Sequence, residues 1–330
     1  MNHIKDIMNL GVLIDPVANT RLNTLNENEI KRIIDKTREE RPLILTSDII
    51  DIFLKISNFN IIKSHKKQLR ISMQELTDML NKRYDFIQSI LIRKVELSNI
   101  VSINKCTNGK VSIIGMVKRK EPSSGNILIE IEDKTGSLKA IISNDIGDKI
   151  VLDDTIAISG SYNNKLLFGE KVLYPDVPLR NVSYSDSDTK IAFIINHDFS
   201  KDIHIEGDYF FVGNCDNVEK LKDTHPRTKI FILANQDRID GNLQYISNPT
   251  YIEIDSVTFL LMFDNDPLLA IKKRFLNINK IDFLIDTVPD VIFTNKDVNT
   301  NYKSITILND TCVLELKNRN VIKFNQETIE

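Results

Sequence analysis

The strongest constraint on the fold is a pattern that recurs through residues 190–330. Short apolar runs alternate there with polar turns, and most runs end in a cluster of Asn and Asp. Buried strands of open α/β sheets deliver polar residues to one edge in this way, and such sheets build their sites at that edge. The pattern therefore predicts a sheet domain with a candidate site at its strand ends. The seven segments are KIAFIINHD, YFFVGNCDN, KIFILANQD, SVTFLLMFDND, DFLIDTVPDVIFTN, KSITILND and CVLELKN.

Residues 100–180 carry a different pattern, in which apolar and polar residues alternate with a period of two. Turns of Gly, Asn, Asp and Ser separate five such segments, and DKTG makes a tight turn between the second and the third. Five short strands over about 75 residues suit an OB-fold barrel. The segments are KVSIIGMVKRK, GNILIEIEDKTG, SLKAIIS, DTIAISGSY and KLLFGEKVLYP.

An OB fold often binds single strands by stacking bases on aromatic side chains in a basic groove. Aromatic residues are few in these five segments, so a protein and DNA are equally open as partners of the barrel. The nucleic-acid-binding candidates are Lys118, Arg119, Lys120, Tyr162 and Phe168.

The first 56 residues predict a small helical unit. NENEIKRIIDKTREE places Ile30, Ile33 and Ile34 on one face, and Thr46 with Ser47 offers an N-cap for the next helix. The unit contains no catalytic pattern, which favours a packing or docking role.

Residues 57–99 are predicted as a linker followed by a connecting helix. The linker interpretation rests on weak periodicity and a basic run in residues 57–71, and such runs are usually solvated surface. The helix opens with a capping box formed by Ser72 and Glu75 and continues as an apolar stripe.

Composition describes a soluble globular protein: 42% of the 330 residues are hydrophobic, 27% are charged, and the net charge is −3. Any nucleic-acid contact must therefore come from local patches. Three scattered cysteines, Cys106, Cys215 and Cys312, exclude a disulfide framework and a thiolate zinc site. No apolar run is long enough for a membrane span, and the N-terminus lacks the apolar core of a signal peptide, so a cytoplasmic protein is expected.

Four segments carry a resemblance to a known family: RYDF at 83–86, PDVPLR at 175–180, SNP at 247–249 and LIDTVPDV at 284–291. In this order around the predicted barrel, they resemble the small subunit of the archaeal family D DNA polymerases. The resemblance covers roughly residues 72–330 and extends to the N-terminal helices only loosely. The B-subunits of the eukaryotic replicative polymerases are similar in plan.

The resemblance implies an α+β protein with four regions. They are an N-terminal helical region (1–56), a linker and connecting helix (57–99), an OB fold (100–180) and a calcineurin-like metallophosphoesterase α/β sandwich (181–330). The last region is shorter than in active relatives, so helices that flank the site are expected to be missing. The family pairs this subunit with a large catalytic subunit as a heterodimer in DNA replication, and its active members are 3′-to-5′ exonucleases that use two divalent metal ions.

The family's metal motifs run Asp-x-His, Gly-Asp-x-x-Asp/Asn, Gly-Asn-His-Asp, a lone His and Gly-His-x-His. Such carboxylates and imidazoles converge on two cations, which clamp the phosphate and generate the attacking hydroxide. No ligand histidine survives at the matching positions of this chain. The degenerate positions are Asn196, Asp198, Asn214, Asn217, Asn235, Gln236, Asp237, Asp264, Lys296 and Val298.

The replacements change the charge of the site. Asn214 is neutral and binds a hard divalent ion far more weakly than a bridging carboxylate, and Lys296 places a positive charge where the family has an imidazole. His197 occupies the spacer position between two ligand positions, so its side chain is expected to point away from them. No bound metal and no other cofactor are therefore expected.

Three functions follow from these patterns. The leading hypothesis is a non-catalytic accessory subunit of a family D-type polymerase, with an inactivated exonuclease site, whose OB barrel contacts the large catalytic subunit; DNA stays open as a second partner of the barrel. The second is an active metal-dependent phosphodiesterase whose site is remodelled from carboxylates, with magnesium held by Asp198, Asp216, Asp237, Asp264 and Asp297. The third is a stand-alone single-strand DNA binder that uses the OB fold.

Overall fold

A helical N-terminal unit, a closed barrel and a pair of packed sheets follow one another along the chain in the computed structural model. The chain is therefore of the mixed α+β class. The structure describes residues 3–25, 27–55, 59–66, 70–123, 125–201, 205–226, 228–234, 238–298 and 301–324.

The N-terminal unit has a core of its own, in which Ile7, Ile33 and Phe53 are buried. The helices match the sequence prediction, since Ile30 and Ile33 are buried on one face and the Thr46 hydroxyl accepts the backbone N–H of Ile49 at 3.3 Å. The elements are α1 (His3–Met8), β1 (Leu13–Ile14), α2 (Pro16–Leu22), α3 (Glu27–Glu40), β2 (Ile44–Leu45) and α4 (Ser47–Lys55).

The linker prediction is wrong for part of residues 57–71. Strand β3 (Phe59–Ser64) pairs antiparallel with residues 250–254, and the neighbouring His65 donates its backbone N–H to the Pro249 carbonyl at 2.9 Å. A strand whose partner lies almost two hundred residues away leaves little local signal, because its hydrogen bonds come from elsewhere in the chain.

Helix α5 (Met73–Leu91) then leads to the barrel, and its predicted capping box is present. The Ser72 hydroxyl accepts the N–H of Glu75 at 3.2 Å, and the Glu75 carboxylate accepts the N–H of Ser72 at 2.8 Å. Tyr84 and Ile87 are buried on the side of the helix that faces the barrel, where the Tyr84 hydroxyl donates to the Ile114 carbonyl at 3.2 Å.

The five predicted strands close into one barrel. Its strand order is β4-β5-β6-β8-β7, in which β6 and β8 are parallel and the other pairs antiparallel. Alternate residues such as Ile127, Ile129 and Ile131 fill the interior. The elements are β4 (Gly109–Ser123), β5 (Asn126–Asp133), β6 (Gly136–Ser143), α6 (Asn144–Gly147), β7 (Thr155–Asn163) and β8 (Leu166–Leu173).

Residues 190–323 add two sheets. The elements are β9 (Lys190–Ile195), β10 (Tyr209–Gly213), α7 (Leu221–Thr224), β11 (Lys229–Ala234), β12 (Arg238–Asp240), β13 (Leu243–Ser247), β14 (Thr250–Ile254), β15 (Val257–Leu261), α8 (Pro267–Lys273), β16 (Phe275–Ile278), β17 (Ile281–Leu284), β18 (Val291–Phe293), β19 (Thr306–Leu308), β20 (Cys312–Glu315) and β21 (Val321–Lys323).

The first sheet has seven strands in the order β12-β13-β11-β10-β9-β20-β21, and the second has five in the order β19-β18-β15-β14-β3. An aromatic core lies between them: the ring centroids of Phe193 and Phe293 are 5.0 Å apart, and those of Phe211 and Phe259 are 5.7 Å apart. The buried apolar halves of the segments therefore pack the two sheets face to face.

The outer faces of this pair of sheets are covered mostly by short elements. Ile205 and Leu221 pack on the seven-stranded sheet, while α8 and the β16–β17 hairpin pack on the five-stranded sheet. In the described part of this region the longest helix is α8, with seven residues. No helix among the described residues is long and apolar enough to cross a membrane.

A buried ion pair joins α5 to both following regions. The Arg83 Nη1 atom lies 2.8 Å from Asp282 Oδ1, and these side chains are only 1% and 2% exposed. The same guanidinium lies 4.4 Å from the Phe275 ring centroid and 3.5 Å from the Met116 sulfur in the barrel. One side chain of the RYDF segment thus contacts the barrel and the β16–β17 hairpin together.

Two further ion pairs hold the barrel side of the molecule to the sheets. Lys273 of α8 lies 2.6 Å from the buried carboxylate of Asp154, which also accepts the Tyr174 hydroxyl at 3.3 Å. Arg180, the last residue of PDVPLR, donates to the Asp290 carboxylate at 2.7 Å. Burial raises the pKa of Asp154, and its bonds to Lys273 oppose that rise.

Candidate functional site

The two segments matched by sequence to the family's first two metal motifs meet where β9 and β10 end. Residues 198 and 216 form an isolated parallel bridge; the N–H of Asp216 donates to the His197 carbonyl at 3.0 Å, and the N–H of Phe199 donates to the Asp216 carbonyl at 3.1 Å. Parallel neighbouring strands end at the same edge of the sheet, as the sequence pattern predicts.

Asparagine at these strand ends has a backbone role. Asn196, Asn214 and Asn217 have φ angles of 54°, 52° and 54°, in the left-handed region. Asn enters this region more readily than other residues that carry a β-carbon. These three asparagines therefore lie where the chain turns sharply after each strand.

Asp198 is held by hydrogen bonds from its neighbours. Its carboxylate accepts the Ser200 hydroxyl at 2.6 Å, the Asn217 amide at 2.7 Å and the Ser200 N–H at 2.9 Å. These bonds, with the Ser200 hydroxyl the largest cause, lower the pKa of Asp198 to about 2. The charge on this carboxylate is thus stabilised by neutral donors of the same edge.

His197 and Cys215 lie beside these positions and face other partners. The His197 ring is 4.9 Å from the Phe199 ring in an edge-on contact, and its backbone N–H donates to the Cys215 sulfur at 3.3 Å. Burial raises the pKa of the Cys215 thiol to about 11. A thiol that stays protonated at neutral pH is a poor nucleophile, so this geometry favours a packing role for Cys215.

The ends of β15 and β18 bring a second polar group to the same end of the sheets. Asp264 and Asn295 bond each other reciprocally: the N–H of Asp264 donates to Asn295 Oδ1, and Asn295 Nδ2 donates to Asp264 Oδ1, each at 2.8 Å. Lys296 is exposed, and Val298 packs against the apolar cluster under the five-stranded sheet.

Phe263, which no sequence motif singles out, fills the space between the two sheets at this end. A β-carbon on Gly213, the last residue of β10, would lie 2.0 Å from the Phe263 ring. Asn248 holds the backbone of Phe263, since its Oδ1 accepts the Phe263 N–H at 2.9 Å and its Nδ2 donates to the Phe263 carbonyl at 3.3 Å. The glycine before a polar turn was the only available sequence signal.

The third motif, with Asn235, Gln236 and Asp237, lies outside the described residues. Among the residues that the structure does describe, no three His, Cys, Asp or Glu side chains are grouped to hold a metal ion. Asp198 and Asp264 each accept bonds from a neighbouring amide, Asp216 and Asp297 are exposed, and the other described positions at this end include neutral amides and an exposed lysine. This donor set fits a two-metal site poorly, because hard divalent ions need several converging carboxylate oxygens and the described carboxylates are not grouped in threes.

In the barrel, acidic residues and carbonyl groups face the basic cluster. Lys118 lies 3.2 Å from Glu132, and Arg119 lies 3.8 Å from Glu130. Lys120 donates to the carbonyls of residues 148 and 150 at 2.9 and 2.8 Å. Much of the positive charge of Lys118, Arg119 and Lys120, the predicted phosphate-binding residues, is thus balanced within the barrel.

The two aromatic candidates occupy different environments. Phe168 is 48% exposed on β8, whereas Tyr162 is half-buried against the barrel core. Tyr162 pairs with Gly109 at the start of β4, while the basic cluster lies towards the end of that strand. The structure therefore places Tyr162 of β7 beside the start of β4, away from the basic cluster near the end of β4.

The chain was compared with known proteins. No protein-family model matches the chain. It is 30% identical over 196 residues to the DNA polymerase II small subunit of Pyrococcus abyssi, which covers 53% of this chain and 31% of that protein. The subunit of the same name from Pyrococcus furiosus is 28% identical over 192 residues, again 53% and 31% of the two chains.

This chain is a distant relative of the archaeal DNA polymerase II small subunits. A third relative of that name, from Archaeoglobus fulgidus, is 22% identical over 184 residues, which cover 53% of this chain and 37% of that protein. The matches thus span about a third of the length of these curated relatives. The resemblance read from RYDF, PDVPLR, SNP and LIDTVPDV is confirmed.

Two solved structures are similar to a small part of the chain. An asparaginyl-tRNA synthetase from Pyrococcus horikoshii, complexed with asparaginyl-adenylate, has a TM-score of 0.18 and 18% identity, and covers 20% of this chain and 19% of that one. The OBody AM1L10 bound to hen egg-white lysozyme has a TM-score of 0.22 and 10% identity, and covers 24% and 95%.

Proposed function

We propose that this chain is a non-catalytic accessory subunit of a family D-type DNA polymerase, which acts in DNA replication as a heterodimer with the large catalytic subunit. The observation that carries the proposal is the polar chemistry of the strand ends. Asn196 and Asn214 shape left-handed turns, and Asp264 is tied to Asn295. Kinship with archaeal polymerase small subunits supports the same role.

The proposal includes two fold assignments. The barrel is an OB fold, which its five strands and the parallel return of β8 beside β6 support. The two packed sheets form a reduced calcineurin-like phosphoesterase domain, with the former metal site at the ends of β9, β10, β15 and β18. The helices described around the sheets are few and short, which supports the proposal that this domain is reduced.

The exonuclease chemistry is absent in this proposal because the site cannot assemble two hard cations. A bridging ion needs a shared anionic oxygen, and Asn214 offers a neutral one. A cation at Asp198 would have to replace the hydrogen bonds from Ser200 and Asn217. The exposed Lys296 adds positive charge at a position where the family has an imidazole.

The retained fold then serves as a scaffold. The sheets and the barrel are held together by buried ion pairs, so the subunit presents its partner with a preformed surface. Because Lys118 and Arg119 lie beside glutamates, the barrel is better suited to a protein partner than to a phosphate backbone. DNA contact through Phe168 is the secondary part of the proposal.

Incubation of the purified full chain with a 3′-ended single strand and manganese tests the loss of chemistry. We expect no shortening of the strand above a buffer control. Degradation that Asp237→Ala abolishes would instead establish the active phosphodiesterase with a remodelled carboxylate site.

Co-expression with the polymerase large subunit of the same organism tests the partner. We expect the two chains to co-elute at a fixed stoichiometry. Failure to co-elute, together with salt-sensitive binding of the chain alone to single strands, would favour the stand-alone DNA binder.

A further inference from the structure

A groove of about 350 Å³ opens between the barrel and the sheets, on the side where α8 faces the barrel. The barrel wall is the loop of residues 151–154, and the opposite wall is formed by α8 and the start of β16. Arg83 and Phe275 lie among its lining residues. The volume is at the lower end of the range for ligand pockets, roughly 300–1,000 Å³, so it has room for only a few side chains.

Both walls of the groove expose apolar side chains. Val151 and Leu152 on the barrel loop are 49% and 56% exposed, and Leu269 on α8 is 36% exposed. Grouped exposed apolar residues of this kind mark surfaces that bury a partner, whereas single ones need no explanation. An apolar side chain inserted here would touch both regions of the molecule at once.

The charge of the groove is negative at its exposed positions. The two buried cations, Arg83 and Lys273, are already paired with Asp282 and Asp154. Asp153 and Asp266 also line the groove and are exposed. These carboxylates favour a cationic partner and oppose the phosphates of a nucleic acid.

We propose that this groove docks a peptide segment of a partner protein that presents apolar side chains flanked by arginine or lysine. The apolar part would lie between Leu152 and Leu269, and the basic flanks would lie beside Asp153 and Asp266. The inference is independent of the strand-end site, because none of these residues belongs to it. It adds a docking surface and the chemistry of its occupant to the proposed scaffold role.

The probe is a fluorescent synthetic peptide with two adjacent leucines and two arginines on each side, titrated with the full chain and followed by anisotropy. Two matched peptides replace the arginines by glutamate or the leucines by serine. We expect saturable binding of the first peptide only. Equal binding of the glutamate or serine peptide, or no saturable binding of the first, would overturn the proposal.

Charge variants of the protein locate the site. Asp153→Asn with Asp266→Asn removes two charges, keeps residues that tolerate a left-handed backbone and an N-cap position, and is expected to weaken binding about fivefold. Glu206→Gln with Asp223→Asn removes two exposed charges elsewhere and is expected to leave binding unchanged. An equal loss in both pairs would mean non-specific attraction and would contradict the proposal.

Apolar variants complete the test. Leu152→Ser is expected to weaken binding by at least the same factor, while Leu179→Ser, at another exposed leucine, leaves it unchanged. Thermal melts of all variants should match the wild-type chain, because the altered side chains are exposed. Binding that survives Leu152→Ser unchanged, or a single-stranded oligonucleotide that binds the groove in place of the peptide, would overturn the assignment.

Discussion

Carboxylates have opposite roles in two regions of the molecule. One region is the contact between the barrel and the sheets, here called the joint, and the other is the strand ends of the sheets. At the joint, Asp282 and Asp154 are buried, and each faces a cation from another part of the chain. At the strand ends, Asp198 is exposed and Asp264 accepts a bond from Asn295, and the side-chain hydrogen-bond donors that the structure shows for both are neutral.

A segment that resembles a family can do so through residues that hold the fold together or through residues of a site. Arg83 and Arg180 come from segments that carry the family resemblance, and both form ion pairs that hold regions of the molecule together. The positions matched by sequence to the family's metal motifs lie at strand ends, where the described ones serve turns and local hydrogen bonds. Under the proposed accessory role, the segments that carry the resemblance thus keep a structural function while the chemistry of the site is lost.

The largest expected effect is at the joint. Arg83→Ala leaves the Asp282 carboxylate buried without its cation, which is expected to lower the free energy of unfolding by about 3–5 kcal/mol. Urea denaturation of the full chain measures it. Lys82→Ala, at the exposed neighbouring position on α5, is the control and should change stability by no more than about 0.5 kcal/mol. Equal losses in the two variants would contradict the role given to this ion pair.

The next effect concerns the contact between the two sheets at the strand ends. Gly213→Ala forces a β-carbon into the Phe263 ring and is expected to cost about 1–3 kcal/mol by overpacking. Gly136→Ala is the control, since its nearest contact would be an ordinary 3.7 Å to Ile103. A Gly213 variant as stable as the Gly136 variant would show that the phenylalanine can move aside and leave a cavity at this end.

A smaller effect on stability shows whether Asn214 is important for its backbone conformation or for its side-chain amide. Asn214→Ala is expected to cost about 1 kcal/mol because alanine resists the left-handed conformation, while Asn214→Gly should cost nothing or stabilise slightly. Denaturation of both variants measures the difference. If glycine destabilised the chain as much as alanine, the amide itself would be the important group.

The smallest effect is the titration of Asp198. An NMR titration of its carboxyl carbon should give a pKa of about 2, and Asn217→Ala should raise that pKa by removing a donor. Because the pKa is lowered on folding, the associated stability is present above the ordinary pKa of an aspartate and is lost as the pH falls towards 2. An unchanged pKa in the variant would contradict the hydrogen-bond network.

The sequence predicts the strands of this molecule better than its long-range contacts. Alternation and turn residues located all five barrel strands, because period and turn chemistry are local signals. Strand β3 was missed because its partner is β14, far along the chain. At the site, the strand-end positions of Asn196 and Asn214 follow from the sequence pattern, whereas the place of Phe263 depends on how two sheets pack, and its one sequence signal, Gly213, lies far away in the chain.

The most direct test of the central claim is manganese binding by the full chain, followed by electron paramagnetic resonance of free Mn²⁺ during titration. The proposed loss of ligands predicts that the free-ion signal rises in proportion to added metal, with no tight sites on the protein. Two tight sites for each chain, both lost in Asp237→Ala, would contradict it and show that the strand ends still assemble a metal centre.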